Sequence, residues 1–437
     1  MKDLIIIGAG PGGYEMALAA AKSGLSVLLI EKEEVGGTCL HSGCIPTKAY
    51  HRTAYLLKTL KEAIDFGIKA EHGFDFQTNL ERKNRIVKEL TEGIKFMLKR
   101  AGVELIYGEA KLESKTKVAV DGDIYEGKNI VIATGSRPAR LPFGDIRNPD
   151  IITSKEILSE KTPPKKLVIV GAGVVGIEIA TIFNQFGSNV EVIEALDTIL
   201  PSIDREVSKR LAGYLKQQGI KIHLSARVKD IRGNKVIFTK KDEEHALHFD
   251  KLLIAIGRVP NVENIGLDKV GIKYAKKGIA VDENFQTNVP NIYAIGDVTG
   301  KMMLAHSATY AGFHVLKHIL GETSGIDFSL LPACVFSFPE VATVGLSEEE
   351  CSDQNPKTYK FQYLANGKAR ALGEPEGFLK VVTVGGEVRG VHIIGAGASD
   401  LIHQAVVLMN KKGTVEELSE MIFAHPTLSE TFGHFMR

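Results

Sequence analysis

The sequence predicts an α/β fold: two Rossmann-like dinucleotide-binding domains, the second inserted in the first, followed by a C-terminal α+β domain. Three observations carry this. "LIIIGAGPGGYEMALAAAKSGLSVLLIEK" and "KLVIVGAGVVGIEIATIFNQFGSNVEVIEA" are two copies of one pattern, an apolar strand, a GxGxxG turn, a helical stretch and a second strand ending in an acid. "TNVPNIYAIGDVTG" (287–300) is a further strand closed by Gly296-Asp297, which we place back in the first unit. Beyond about residue 328 the texture changes to a hairpin and two short helices. The expected division is 1–142 and 265–328 for the first unit, 143–264 for the second and 329–437 for the C-terminal domain.

A chain of 437 residues exceeds a single core, in keeping with several domains. Its net charge is +1, with acids and bases interspersed, which gives no reason to expect nucleic acid or a membrane surface as partner. No run of about 18 apolar residues is present to span a bilayer. The sequence enters "KDLIIIGAGPGG" at once, leaving no room for a targeting segment, and has only four cysteines. A cytoplasmic protein is therefore expected.

Leu4–Ile7 is the first strand and feeds Gly8, Gly10 and Gly13; the strand Val27–Ile30 then ends in Glu31. The second copy has Gly171, Gly173, Gly176 and Glu194, and in both the acid follows the first glycine by 23 residues. Glycines let the backbone approach a pyrophosphate at the positive helix N-terminus, and the acid accepts hydrogen bonds from ribose hydroxyls. A glycine-rich turn without a ligand is the bland alternative for either copy alone. Two copies in the same context weigh against it. "NIVIATGSRP" (129–138) and "KLLIAIGRVPN" (251–261) each read as a buried strand stopped by glycine. In the last domain, "EGFLKVVTVGGEVRGVHIIGAG" (376–397) reads as a hairpin, and 401–409 and 415–423 as helices.

"GGTCLHSGCIPTK" places Cys39 and Cys44 five apart, directly after the first unit. That spacing suits neither a zinc knuckle nor a CxxC redox motif, and no metal site is expected. Two buried thiols are the bland alternative. Lys48 follows Cys44 by four, on the same face of a helix, where an ammonium favours a thiolate. "FAHPTLSETF" also has two readings: a T-x-x-E capping box at Thr427–Glu430, or His425 as general acid–base with Glu430 as its orienting carboxylate.

Together the two dinucleotide units, GGTCxxxxCIPTK, the TxxxxxYAxGD segment and "AHPTLSE" resemble the pyridine nucleotide–disulfide oxidoreductases, and within them the dihydrolipoamide dehydrogenase group, over essentially the whole chain. The resemblance implies an FAD-containing, NAD-dependent enzyme that oxidises protein-bound dihydrolipoamide through a Cys39–Cys44 redox disulfide beside the flavin. Cys39 would exchange with substrate and Cys44 would face the flavin as thiolate. Residues five apart on an ideal helix lie about 7.5 Å apart along its axis, too far for a disulfide, so the helix must be distorted. Gly43 and Pro46 permit that. The resemblance also places Gly8, Gly10, Gly13, Glu31, Thr38, Lys48, Ala110, Gly135, Asp297 and Ala305 at FAD. It places Gly171, Gly173, Gly176, Glu178, Glu194, Val228 and Gly257 at NAD, with Glu178 paired to Lys48. It makes the C-terminal domain a dimerisation domain, so that in a homodimer His425 of one subunit reaches the cysteines of the other. The implied partner is a lipoyl-bearing protein of a 2-oxoacid dehydrogenase or glycine cleavage complex.

Leu40, His41 and Ser42 depart from the residues common in the family; His41 is open to two readings, a tuner of the neighbouring thiolate or, with more weight, an exposed histidine with no role. Glu194 repels a 2′-phosphate and "EALDTILPS" offers no arginine to receive one, so NAD is expected over NADP. The tail "TFGHFMR" lacks the cysteine pair of mercuric and large thioredoxin reductases. Another NAD(P)H-dependent disulfide reductase, or a structural subunit of a 2-oxoacid dehydrogenase assembly, are the remaining alternatives.

Overall fold

A run such as Leu4–Ile7, branched and apolar at every position, is satisfied only in a strand covered on both faces. All four residues are buried. In this computed structural model, which describes residues 1–69, 71, 73–143 and 148–433, strand Lys2–Ile7 lies between the parallel strands Val27–Glu31 and Asp123–Ile132. Glu104–Tyr107 pairs beyond Val27–Glu31, and Ile292–Ala294 pairs with the far side of Asp123–Ile132. The last of these comes from beyond the second unit, so the second unit is an insertion, as the sequence predicts. Helices Pro11–Lys22 and Ala305–Ile319 pack together so closely that a Cβ on Gly12 would stand 3.0 Å from the Ala308 carbonyl oxygen.

The second sheet repeats the plan. Lys221–His223, Asn189–Ile193, Lys166–Val170, Lys251–Ile254 and Ile151–Ile152 run parallel in that order. Each unit also carries a three-stranded antiparallel meander: Ala110–Leu112, Lys117–Val120 and the start of Asp123–Ile132 in the first, and Ala226–Arg232, Lys235–Lys240 and Glu243–His248 in the second. The C-terminal sheet is antiparallel, in the order Ala333–Val335, Val341–Gly345, Glu387–Ile394, Phe378–Val384, Lys357–Gln362. Its hairpin turns on Gly385-Gly386, both at positive φ (61° and 90°) as a two-residue loop requires. Helix Ala398–Asn410 covers one face, and Val415–Glu420 ends earlier than expected because Met421 is already extended.

The chain forms two compact units, Met1–Ala49 with Gln77–Ala139 and Gly257–Ile326, and Tyr50–Phe76 with Arg140–Ile256 and Asp327–Arg437. Tyr50–Phe76 groups with the latter through aromatic packing: Phe74 stacks on Phe186 at 4.9 Å, and Tyr50 and Phe76 meet the same ring edge-on.

Within the second unit a buried ion cluster ties the inserted sheet to the C-terminal one. Asp204 caps helix Arg205–Gln217 by accepting from the Glu206 and Val207 N–H groups. Its other oxygen receives Lys380 Nζ at 2.9 Å, and Lys380 also meets Glu348 at 2.7 Å. Lys380 and Asp204 are 1% and 0% exposed. Burial works against both charges, but the hydrogen bonds prevail: Lys380 is held above the ordinary lysine range and Asp204 below the ordinary aspartate range. The pair's contribution is therefore complete between the unfolded aspartate and lysine pKa values. It falls off only as pH drops through the lowered Asp204 pKa or rises through the raised Lys380 pKa. Lys380→Met strands the Asp204 charge and should reduce stability at pH 7 by about 3–5 kcal/mol. Lys380→Met with Asp204→Asn should recover part of the loss, and urea unfolding of the three proteins measures both effects.

Candidate active site

The site begins where the backbone has no room for side chains. A Cβ on Gly13 would lie 1.9 Å from the Gly8 carbonyl oxygen, and one on Gly8 (φ +105°) 2.3 Å from the Ala133 oxygen. Gly10, by contrast, has nothing within 4 Å of its Cβ position. Helix Pro11–Lys22 starts there with no side-chain cap, so its first N–H groups are left for an anion at the positive end of the helix. The second copy matches: Gly176 would meet the Gly171 oxygen at 2.0 Å, Gly171 the Ala255 oxygen at 2.4 Å, and Gly173 opens on space at another uncapped helix start.

The two acids do more than await a ribose. Glu31 accepts from Ala9 N–H at 2.7 Å and Glu33 N–H at 2.8 Å. Glu194 accepts from Ala172 N–H at 2.6 Å and Leu196 N–H at 2.8 Å. Each carboxylate thus pins its glycine loop to the end of the neighbouring strand. The structure brings Arg205 to the loop after Glu194, but pairs it with Asp197 at 2.9 Å.

The cysteine segment is seated on the first loop. Gly36 N–H donates to the Ala9 oxygen, and a Cβ on Gly37 would lie 2.8 Å from Gly10 Cα. Helix Gly37–Ser42 carries Cys39 and helix Cys44–Glu62 begins at its partner; between them Gly43 leaves helical conformation (φ −143°, ψ −116°). The break has two causes. Pro46 has no N–H to continue the ladder, and a side chain on Gly43 would crowd the Thr38 oxygen at 2.9 Å. Thr47 closes the new helix start by donating N–H and Oγ1 to the Gly43 oxygen. The break brings Cys39 and Cys44 into hydrogen-bond contact as two thiols. That bond, burial and the Cys44 charge push the Cys39 thiol far above its ordinary range, with Lys48 pulling the other way. The reduced pair therefore holds on to one proton between its two sulfurs.

His41 corrects its expected role. It is half-buried, and Nε2 bonds the Val35 oxygen at 2.8 Å, tying the cysteine helix to the loop before it. Of the other residues expected at FAD, Thr38 is exposed in the cysteine helix and Ala110 is buried at the start of its strand. Gly135 sits at φ +66° and Ala305 opens helix Ala305–Ile319. Asp297 accepts from Ser136 Oγ at 2.5 Å, a partner the sequence reading missed. Among those expected at NAD, Glu178 is buried and accepts from Phe336 N–H at 3.0 Å, Val228 stands at a bulge in its meander, and Gly257 lies at φ +113° with open space at its Cβ.

At the other end of the chain Glu430 both closes the capping box and meets His425. One Glu430 oxygen accepts from Thr427 N–H at 2.8 Å; the other meets His425 Nδ1 at 2.9 Å. A carboxylate only accepts, so Nδ1 carries the proton and Nε2 is the basic nitrogen. The capped element is a short 3-10 turn, Leu428–Phe432. The His425 side chain is 78% exposed and Glu430 15%.

Residues 2–312 match the model of the pyridine nucleotide-disulphide oxidoreductases, and residues 331–436 match that family's dimerisation domain. The chain is 37% identical to a dihydrolipoyl dehydrogenase of Bacillus subtilis over 98% of its own length and 96% of the relative's. It is 40% identical to one of Chlamydia pneumoniae, over 98% and 95%. Among solved structures it is similar to LpdA of Mycobacterium tuberculosis (28% identity, TM-score 0.91, covering 99% and 98%) and to the HOCl-induced flavoprotein disulfide reductase RclA of Escherichia coli (29%, TM-score 0.89, 99% of each). No helix among the described residues is long and apolar enough to cross a membrane. With its paired glycine loops, its adjacent cysteines and both family models matched along nearly its full length, the chain belongs to the pyridine nucleotide-disulphide oxidoreductases.

Proposed function

We propose that this protein oxidises protein-bound dihydrolipoamide to lipoamide with NAD⁺ as acceptor, using FAD and the Cys39–Cys44 pair. The observation that carries the reading is the helix broken at Gly43, which sets two thiols against each other beside a dinucleotide loop. The dihydrolipoyl dehydrogenases to which the chain is similar supply the substrate class. The residues fit both nucleotides. Gly8, Gly10 and Gly13 with the first helix would take the FAD pyrophosphate, Glu31 the adenosine ribose and Asp297 the ribityl part. Thr38, Lys48, Ala110, Gly135 and Ala305 complete that site. Gly171, Gly173 and Gly176 would take NAD, with Glu194 at its ribose, Glu178, Val228 and Gly257 completing the site. FAD, when bound, would supply the two-electron carrier between the dithiol and NAD⁺.

The chain's own residues carry the rest. His425 Nε2 removes a proton from a substrate thiol, and the thiolate attacks Cys39 of the oxidised pair, expelling Cys44 as thiolate. The second substrate thiol, deprotonated in turn, attacks the mixed disulfide at the substrate sulfur and releases Cys39. The cyclic disulfide leaves with two fewer electrons, and the protein holds the dithiol with its proton on Cys39. Glu430 keeps the imidazole in the tautomer this requires.

We assign the division into 1–142 with 265–328, 143–264 and 329–437 as the working domain boundaries, a homodimer as the active unit, and the cytoplasm as its location. A lipoyl-bearing component of a 2-oxoacid dehydrogenase or glycine cleavage complex is its partner. The purified protein should carry FAD, reduce NAD⁺ with dihydrolipoamide by ping-pong kinetics, and gain two titratable thiols on anaerobic treatment with that dithiol. Turnover confined to glutathione disulfide with NADPH would overturn the assignment.

The shared site has its own test. Mixing inactive Cys44→Ser subunits with inactive His425→Gln subunits should restore about half of wild-type activity per hybrid dimer, because one site then carries both lesions and the other neither. No recovery despite demonstrated exchange would place cysteine and histidine of each site in one subunit.

Cofactor choice follows from the Glu194 loop. Glu194→Ala with Asp197→Ala removes the repelling carboxylate and frees Arg205 for a 2′-phosphate. The ratio of kcat/KM for NADP to that for NAD should rise about tenfold or more. The same double variant should raise KM for both cofactors, since the Ala172 N–H loses its pin.

A further inference from the structure

The connection returning from the inserted sheet passes Gly257 and becomes strand Arg258–Pro260, paired antiparallel with Ser136–Pro138. The pairing is already secured without Arg258. Thr134 Oγ1 donates to the Asn261 oxygen and Asn261 Nδ2 to the Thr134 oxygen, both at 2.9 Å. Arg137 forks onto Glu263 at 2.8 and 2.7 Å on the exposed side. Arg258 takes the other direction. Its Nη2 donates to the Ser136 oxygen at 2.7 Å and its Nε to Ser136 Oγ at 2.6 Å. That hydroxyl has one proton, and it goes to Asp297 Oδ2 at 2.5 Å; Nε itself stands 3.6 Å from the same oxygen. A guanidinium does not accept, so the relay has one direction, Arg258 to Ser136 to Asp297.

Taking a guanidinium partly out of water is costly, and a strand pair held by Thr134, Asn261 and Arg137 does not need one. Its position is explained by what lies beside it. Asp297 Oδ2 is occupied by the relay, whereas Oδ1 carries no hydrogen bond among the described residues, an arrangement fit for a ligand hydroxyl. The guanidinium is also within electrostatic reach of Cys44.

We infer that Arg258, acting through Ser136, is a positioning residue of the flavin–dithiol centre: it fixes the Asp297 carboxylate toward FAD and supplies a half-buried positive charge that favours the reduced, anionic pair. This rests on the flavin and dithiol reading above. It predicts that the connection leaving the NAD-binding segment sets the electrostatics of the FAD side one residue after Gly257.

The test compares wild type, Arg258→Met, Arg258→Lys and Ser136→Ala, each as purified holoenzyme and as apoprotein titrated with FAD. The FAD dissociation constant should rise about tenfold in Ser136→Ala and Arg258→Met, which both release Asp297. The midpoint potential of the first two-electron reduction should become more negative in Arg258→Met and stay near wild type in Ser136→Ala and Arg258→Lys, which keep the charge. Should Arg258→Met fail to fold, Arg258→Lys decides: weaker FAD binding at an unchanged potential supports the inference. Unchanged FAD affinity and unchanged potential in the folded Arg258 variants overturn it. A wild-type protein that binds no FAD overturns the reading beneath it instead.

Discussion

Two backbone contacts set everything else: the Gly8 oxygen against Gly13 and the Gly171 oxygen against Gly176. At each, an added Cβ would fall about 2 Å from a carbonyl oxygen, so no other residue lets the helix start this close to the strand end. Because the helix starts there, its uncapped N–H groups face the sheet's carboxyl edge. Because the loop must then turn back, an acid at the end of the next strand is placed to hold it, as Glu31 and Glu194 do. The same contact seats the chemistry. Ala9 accepts from Gly36 N–H, and Gly37 rests on Gly10, so the cysteine helix grows out of the dinucleotide loop itself. The glycine loop and the dithiol are in this sense one piece of backbone.

The broken helix then sets the two sulfurs against each other. Continuous helix would hold Cys39 and Cys44 apart; the Gly43 break brings them together and starts a second helix at Cys44. Two adjacent thiolates are strongly disfavoured in a buried setting. Lys48 lies one turn along from Cys44 and Arg258 is within electrostatic reach of it, which favours the anionic form of the pair and is in keeping with the thiolate we propose at Cys44.

How much of this was legible in the sequence depended on the range of the cause. The glycine contacts, the acids and the helix break arise from residues near in sequence, with types that admit few alternatives, and all were readable. The paired use of Glu430, as cap partner and as histidine orienter, was readable for the same reason. His41 stayed open between two readings because its place depends on the path of Val35, which no local pattern announces. Ser136 and Arg258 were missed because their relay joins three segments brought side by side only by the insertion, although "GSRP" and "GRVPN" stood out as strand ends. Lys380 was invisible for a related reason: a lysine in "FLKVV" reads as an outward-facing residue, and only helix capping by Asp204, far away in sequence, makes a buried ammonium tolerable there.

The histidine illustrates what a protomer alone can and cannot prepare. Glu430 is mostly buried and doubly engaged, so its position is set by the fold before any ligand arrives. It transmits that order to His425 by fixing the tautomer and the ring plane. The imidazole itself is left largely in water, where a general base has little to act on and no hydrophobic surface to exclude competing solvent. A fold that invests a buried carboxylate in orienting an exposed ring has prepared half of a site. The pair resides in the segment that matches the family's dimerisation domain, and the shared site we propose accounts for the exposed ring: a second copy of the chain would cover it, and a two-fold axis would complete both sites in one association step.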